Sequence, residues 1–180
     1  MNPGRTVHVT LATDADLDAI AALVNSGYRG ESSRAGWTTE ADFLAGQRTD
    51  AEALRDDLTS RPGALLLTLR DEPGGELLGS VWLEPQAPDV WYLGMLTVRP
   101  YLQARRLGRT LLAEAEAYAA SRGAQRMRMS VITVRETLIA WYERRGYVRT
   151  GETLPFPYGD ARFGVPLRDD LRFDVLEKPL

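Results

Sequence analysis

Val98-Arg-Pro-Tyr-Leu-Gln-Ala-Arg-Arg-Leu-Gly-Arg-Thr-Leu-Leu112 reads as the end of a strand, an arginine-rich loop and the start of a helix. The first N–H groups of a helix have no intrahelical partner and carry partial positive charge, so a phosphate placed there is held by backbone. Gly108 permits close approach, and Arg99, Arg105, Arg106 and Arg109 add four cations within eleven residues. No Asp or Glu lies between Asp89 and Glu114 to offset them. Two common phosphate loops are excluded, because the stretch has no Gly-Lys-Ser/Thr and no G-x-G-x-x-G after a strand. Taken alone, such a stretch is most often a solvated surface.

Outward from it, strand and helix signals alternate. Val90 to Val98 is the strand that feeds the loop, and Gly108 to Arg122 is the helix that follows, with Leu111, Leu112, Ala115 and Tyr118 or Ala119 on one face. Gln125 to Ile132 is the next strand, and Val134 to Arg145 a helix that Gly146 stops. Towards the N-terminus, Thr6 to Leu11 is a strand, and Thr13 or Asp14 caps a helix carrying Leu17, Ile20, Ala21 and Val24. Tyr28 to Thr39 is a polar loop, with a second helix expected after Thr39 and a third from Asp50 to Leu58. Ala64 to Leu69 and Glu76 to Glu84 are strands joined by the turn Asp71-Glu-Pro-Gly-Gly75. Tyr147 to Glu152 and Arg172 to Leu176 form a last antiparallel pair. The sum is an α/β (α+β) fold, a mixed, mostly antiparallel sheet of about seven strands flanked by helices on both faces. The strand-helix-strand unit from Val90 to Ile132 is expected to be parallel and right-handed.

A second block sharpens the reading. Val134-Arg-Glu-Thr-Leu-Ile-Ala-Trp-Tyr-Glu-Arg-Arg-Gly-Tyr147 is similar to a helix end, Phe-Tyr-Glu-x-x-Gly-Phe, of the GNAT superfamily of N-acetyltransferases; Trp141, Tyr142, Glu143, Gly146 and Tyr147 fit it. The opening stretch resembles that superfamily's acetyl-CoA signature, Gln/Arg-x-x-Gly-x-Gly/Ala. Gln103 and Gly108 match, while Arg106 stands at the usual first glycine and must adopt a backbone conformation open to a side chain. Arg135 replaces a frequent asparagine.

The resemblance implies a single GNAT-like acyltransferase domain over residues 1–180, its cofactor half at about 90–150, with acetyl-CoA as acyl donor. It implies that the parallel strand pair splays and admits the pantetheine arm, with Leu96, Thr97 and Val98 alongside and Gly94 easing a bulge. Gln103, Ala104, Arg105, Arg106, Leu107, Gly108, Arg109 and Thr110 would then form the pyrophosphate loop.

Acetyl transfer to an amine needs an oriented thioester, a neutral amine, a donor for the developing oxyanion and a proton for the leaving thiolate. The resemblance makes a backbone N–H near Leu96 the oxyanion donor and Tyr142 the general acid. The plainer role for Tyr142 is packing. No motif marks the general base; Glu84, on the strand beside the cofactor strand, is the first candidate and Glu31 its rival. Glu31, Arg34, Trp37 and Tyr92 are the substrate candidates, with Trp91 or Tyr92 facing the pocket as strand phase decides. Arg34 or Arg162 would hold a carboxylate, and Trp37, Phe156 and Tyr158 would act as lids.

Composition narrows the chemistry. At 180 residues and 44% hydrophobic, the chain has material for one domain with a proper core. It has no eighteen-residue apolar run and no leader at Met1, so a cytoplasmic protein without membrane association is expected. The absence of cysteine rules out a cysteine acyl-enzyme, and a lone His8 leaves little for a metal site or a Ser-His relay. Direct transfer in a ternary complex is favoured over an acyl-enzyme. Residues 1–90 hold fifteen acids and seven bases, residues 91–180 ten acids and fifteen bases, which suits an anionic cofactor in the second half and a cationic amine near the first. The net charge of −3 disfavours nucleic acid. A small-molecule amine is the first acceptor class and a protein or peptide amine the second; the alternative function is a non-catalytic acyl-CoA sensor. Monomer and homodimer are both compatible.

Overall fold

The computed structural model describes residues 6–180; Met1, where no leader is expected, lies outside them. In chain order the strands are β1 (His8–Leu11), β2 (Leu44–Ala45), β3 (Leu65–Arg70), β4 (Leu77–Ala87), β5 (Val90–Val98), β6 (Arg126–Ile132), β7 (Val148–Pro155), β8 (Val165–Pro166) and β9 (Arg172–Pro179). The helices are α1 (Leu17–Tyr28), α2 (Gly30–Ser33), α3 (Ala51–Ser60), α4 (Leu107–Ser121) and α5 (Glu136–Glu143).

Seven strands form one sheet in the order β1-β3-β4-β5-β6-β9-β7, antiparallel except for the β5–β6 pair. Both faces are buried, because the central strands are apolar on both sides. One face packs Leu67, Leu83, Leu93 and Met127 against Leu111, Leu112 and Ala115 of α4 and Ile139 of α5. The other packs Leu66, Leu77 and Trp82 against Leu17, Ile20 and Val24 of α1 and Leu54 of α3. Strand phase thus sends Trp91 to the α4 face, edge-on to Tyr118, and Tyr92 to the α1 face.

Local chemistry sets the helix starts. Thr13 donates its N–H (2.8 Å) and hydroxyl (3.2 Å) to the Asp16 carboxylate, turning the chain into α1. Asp50 accepts from the N–H of Ala53 at 2.8 Å and caps α3.

The sheet opens where the site lies. β5 and β6 pair only at Val90–Arg126, Trp91–Met127 and Tyr92–Arg128, and beyond Tyr92 the two strands part. β6 stays paired to β9 along its length, so the opening is made by β5, which bulges against β4 between Gly94 and Thr97. The left-handed residue of this bulge is Met95 (φ 47°), not the expected Gly94.

Three local expectations change. The Tyr28–Thr39 loop contains the single turn α2, and the stretch after Thr39 is a turn leading into β2 rather than a helix. The Glu40 carbonyl accepts from the N–H groups of Phe43 (3.1 Å) and Leu44 (2.9 Å), which closes one helical turn, and the winding stops there as Leu44 enters a small core with Ile132, Phe156 and Leu171. β2 then pairs with β8, a two-stranded ladder without a sequence period to announce it.

Candidate active site

The loop after β5 presents cations that the protein itself does not use. A 3-10 turn, Pro100–Arg105, leads to Arg106 in the left-handed region (φ 62°, ψ 9°), and α4 starts at Leu107. Arg106 therefore takes the backbone of the glycine it replaces, at a cost of about 1–2 kcal/mol. No side chain caps α4 and no acid lies in its first turn. The guanidinium groups of Arg105, Arg106 and Arg109 have no ion-pair or hydrogen-bond partner among the described residues. Arg99 is different: it pairs with Glu76 at 3.1 Å and donates to the Leu77 carbonyl at 2.7 Å, which removes it from the phosphate strip.

A cleft of about 800 Å³, counting the part open to solvent, runs from this helix start past Val98 and Leu96 to Tyr142. Its walls include Arg106, Gly108, Arg109, Trp37 and Trp141. A Cβ at Gly108 would stand 3.7 Å from Val98 and 3.8 Å from Trp141, ordinary contact distances. Protein packing does not demand glycine there, so the space belongs to the cleft. Arg145 lies over Trp141 at 3.7 Å with its buried Nε unpartnered. Burial, then the charges of Arg144 and Arg109, lower its pKa, which describes a cation short of an anion. A helix start without a cap, unpaired arginines and an orphaned buried N–H fit a phosphorylated cofactor.

A second cavity, about 530 Å³ on the same measure, opens on the other side of the splayed strands. It is lined by Tyr28, Glu40, Arg48, Tyr92, Ser130 and Arg135, and it shares Leu96, Leu138 and Tyr142 with the first. The Tyr92 and Ser130 hydroxyls meet at 3.1 Å, joining β5 to β6 just past their last paired residues. Glu40 is held from both sides, by Arg29 at 3.1 Å and by Arg135 at 3.0 Å, with every partner nearly inaccessible to water. Arg135 also donates to the Thr38 carbonyl and lies 5.4 Å from the Tyr28 ring. Tyr28 in turn donates to the Leu96 carbonyl.

Tyr142 stands where the cavities meet. Its ring packs edge-on to Trp141 (5.1 Å) and Tyr147 (5.6 Å), yet its hydroxyl has no hydrogen-bond partner among the described residues. Burial pushes that hydroxyl far above the usual tyrosine range, and Arg135 and Arg145 only partly oppose it. Tyr142 is therefore a protonated, unspent donor at neutral pH.

The remaining candidates divide. Leu96, Val98, Gln103, Arg106, Gly108 and Arg109 line the first cleft, and Tyr92 lines the second cavity. Gln103 is also a brace, accepting from the Trp37 N–H at 2.8 Å and donating to Thr38 Oγ1 at 2.8 Å. Trp37, expected at the substrate, lines the first cleft. Thr97 is buried against α1 beside Gly27, its hydroxyl on the Met95 carbonyl at 3.0 Å. Leu107 packs on the main core, and the Thr110 hydroxyl bonds the Arg106 carbonyl at 3.3 Å. Ala104 and Arg105 belong to the turn before α4.

Glu31 and Arg34 lie outside both cavities, with Arg34 bonded to Glu31 (3.0 Å) and Asp42 (2.7 Å). Arg162 is bonded to Asp160 at 2.9 Å. Glu84 accepts from Trp82 Nε1 at 3.1 Å and Arg61 at 3.2 Å and lines neither cavity. Phe156 is core, and Tyr158 holds the loop before β9 by accepting from the Leu171 N–H at 2.9 Å. The Arg29–Glu40–Arg135 cluster was not legible beforehand; its one signal was the arginine at 135 in place of asparagine. No group of three or more His, Cys, Asp or Glu among the described residues forms a metal-holding cluster.

The family model described as Acetyltransferase (GNAT) family matches residues 25–147, which contain both motifs. No curated protein matches the chain. The ribosomal-protein-alanine N-acetyltransferase of Brucella melitensis is 24% identical, with a TM-score of 0.68 over 96% of this chain and 99% of its own. The ribosomal-protein-S18-alanine N-acetyltransferase of Escherichia coli is 16% identical, with a TM-score of 0.68 over 97% and 94%. YncA of Salmonella typhimurium, assigned as an acetyltransferase and solved with its cofactor acetyl-CoA, is 18% identical, with a TM-score of 0.68 over 97% and 94%. At these identities the structures speak for the shared fold. With a family match over more than half of its length, and with the splayed strands and the uncapped helix start inside that match, the chain belongs to the acetyltransferase (GNAT) family, transferases that use acetyl-CoA.

Proposed function

We infer that the chain moves an acetyl group from acetyl-CoA to a primary amine, a small molecule or an amino acid, by direct transfer in a ternary complex. Residues 1–180 would act as one acyltransferase domain with its cofactor half at about 90–150. The observation that carries this reading is the meeting of two unlike cavities at Leu96, Leu138 and Tyr142, in the gap between β5 and β6. One ends at unpaired cations and an uncapped helix; the other has a polar wall. Direct transfer is supported by the absence of cysteine and by the place of His8 on the edge strand β1.

The reaction forms a C–N bond and breaks a C–S bond, so the amine loses a proton and the thiolate gains one. Arg106, Arg109 and the first N–H groups of α4 would hold the phosphates, and this anchoring orients the thioester. A backbone N–H at the β5 bulge, near Leu96, would donate to the developing oxyanion. Tyr142 would protonate the thiolate and be reprotonated from solvent. The dry surroundings that weaken Tyr142 as an acid also make the leaving thiolate more basic, so the two remain matched.

No unpaired carboxylate lines the acceptor cavity among the described residues, since Glu40 is shared by two arginines. We therefore assign amine deprotonation to cavity water, with Glu84 at most a relay beyond it. The same feature favours a second reading, an acyl-CoA-binding module that performs no transfer. Thiol release from acetyl-CoA over amino acids, polyamines and short peptides separates the two. Release on one amine class supports the enzyme; CoA binding with no release on any acceptor supports the module.

A further inference from the structure

The acceptor cavity carries one cation that the rest of its wall leaves free. Arg48 is half-buried there, and its guanidinium has neither an ion-pair nor a hydrogen-bond partner among the described residues. Its turn is fixed through backbone: Asn25 Oδ1 accepts from the N–H of Arg48 at 2.6 Å and of Thr49 at 3.1 Å, while Asn25 Nδ2 donates to the Thr49 carbonyl at 2.8 Å. A rigid turn thus presents an uncommitted charge.

That charge lies close to the reacting end of the site. It bears on the Tyr28 hydroxyl and on the Arg29 guanidinium, and Tyr28 holds the Leu96 carbonyl at the junction of the cavities. The surrounding charges do not cancel it. Arg29, behind the wall, and Arg135 (+2) share Glu40 (−1), leaving that cluster at +1, and Arg48 brings the cluster and wall together to +2. A polyamine would enter against this field, whereas an anionic group would complete it. The cations first expected to hold a carboxylate, Arg34 and Arg162, are already bonded to acids outside the cavity. A guanidinium fork in a partly dry cleft pairs bidentately with carboxylate or with a phosphorus oxyanion.

We propose that Arg48 binds an anionic group of the acceptor, so that the substrate is a small primary amine carrying a carboxylate or phosphorus oxyanion, as in an amino acid. This rests on the acetyl-transfer reading for the fate of the amine, and its test measures binding apart from transfer.

The test is calorimetric titration, with and without CoA, of matched acceptors: L-methionine against 3-(methylthio)propylamine, L-phenylalanine against 2-phenylethylamine, and aminomethylphosphonate against methylamine. Wild type, Arg48→Gln and Arg48→Lys are compared, and thiol release from acetyl-CoA is followed on the same pairs. At least one anionic member is expected to bind wild type about 30-fold tighter than its partner, as a charge-assisted bidentate contact predicts. In Arg48→Gln the ratio should fall to within about 3-fold, with partial return in Arg48→Lys and unchanged CoA affinity throughout. Equal binding within every pair, no binding of any member, or an unchanged ratio in Arg48→Gln overturns the proposal. Selective binding lost in Arg48→Gln without thiol release supports the Arg48 site and counts against transfer instead.

Discussion

The two cavities that meet at Tyr142 differ in how they hold the arginines built into their walls. In the first cleft, Arg106 and Arg109 are left without partners among the described residues, beside an uncapped helix start. In the second cavity, Arg29 and Arg135 are both committed to Glu40 deep in the wall, and only half-buried Arg48 is left without a partner among the described residues. Exposed cations are hydrated, so leaving them unpaired costs little, and they remain available to a ligand that enters and leaves. Buried cations have no such option; each needs an anion, and the cluster is better understood as fixing the wall than as a source of stability.

The contrast makes its largest prediction for Glu40. Glu40→Gln would leave two buried guanidinium groups short of a counter-charge and should cost about 3–5 kcal/mol of unfolding free energy, measured by urea denaturation. A loss below about 1 kcal/mol would mean that water reaches the cluster and would erase the distinction between the two walls. Tyr142→Phe comes next. It removes the one side-chain hydrogen-bond donor among the described residues that both cavities share, and kcat should fall about 100-fold while CoA affinity stays within about 2-fold. Wild-type turnover would return Tyr142 to packing.

Arg106→Gly sharpens the cofactor side by separating backbone from charge. Stability should rise by up to about 1 kcal/mol as the left-handed strain is relieved, less the added freedom of glycine in the unfolded chain. CoA affinity should fall in the same variant. Unchanged affinity would mean that the guanidinium does not face the phosphates. The smallest effect is expected for Glu84→Gln, because Trp82 and Arg61 already occupy that carboxylate. A change in kcat/KM within about 3-fold, with the pH profile kept, fits a group outside the cavities. A flattened alkaline-rising limb would restore Glu84 as the base.

How much could be read from sequence follows the same division. The half from Val90 to Ser121 is contiguous, strand, loop and helix in succession, so the local reading placed Arg106, Gly108 and Arg109 and the family resemblance added Gln103. Arg99 misled, because nothing in the sequence says that a strand end pairs across to Glu76. The acceptor half is assembled from segments far apart. Arg135 reaches Glu40 across 95 positions, a contact no local period encodes. The bulge shows the same limit, since intrinsic preference favoured Gly94 while the pairing of β4 with β5 put Met95 in the left-handed region. Likewise, β2 and β8 are two residues each, too short to carry a pattern.

The most direct test of the account is calorimetric titration of CoA into the wild-type protein and into the double charge reversal Arg106→Glu/Arg109→Glu. Wild type should bind one CoA per chain, and the reversal should weaken it by about 100-fold or more, since cations facing the phosphates become repulsive anions. No binding to wild type, or equal affinity in both proteins, would contradict the claim that the arginine loop and the start of α4 hold the cofactor.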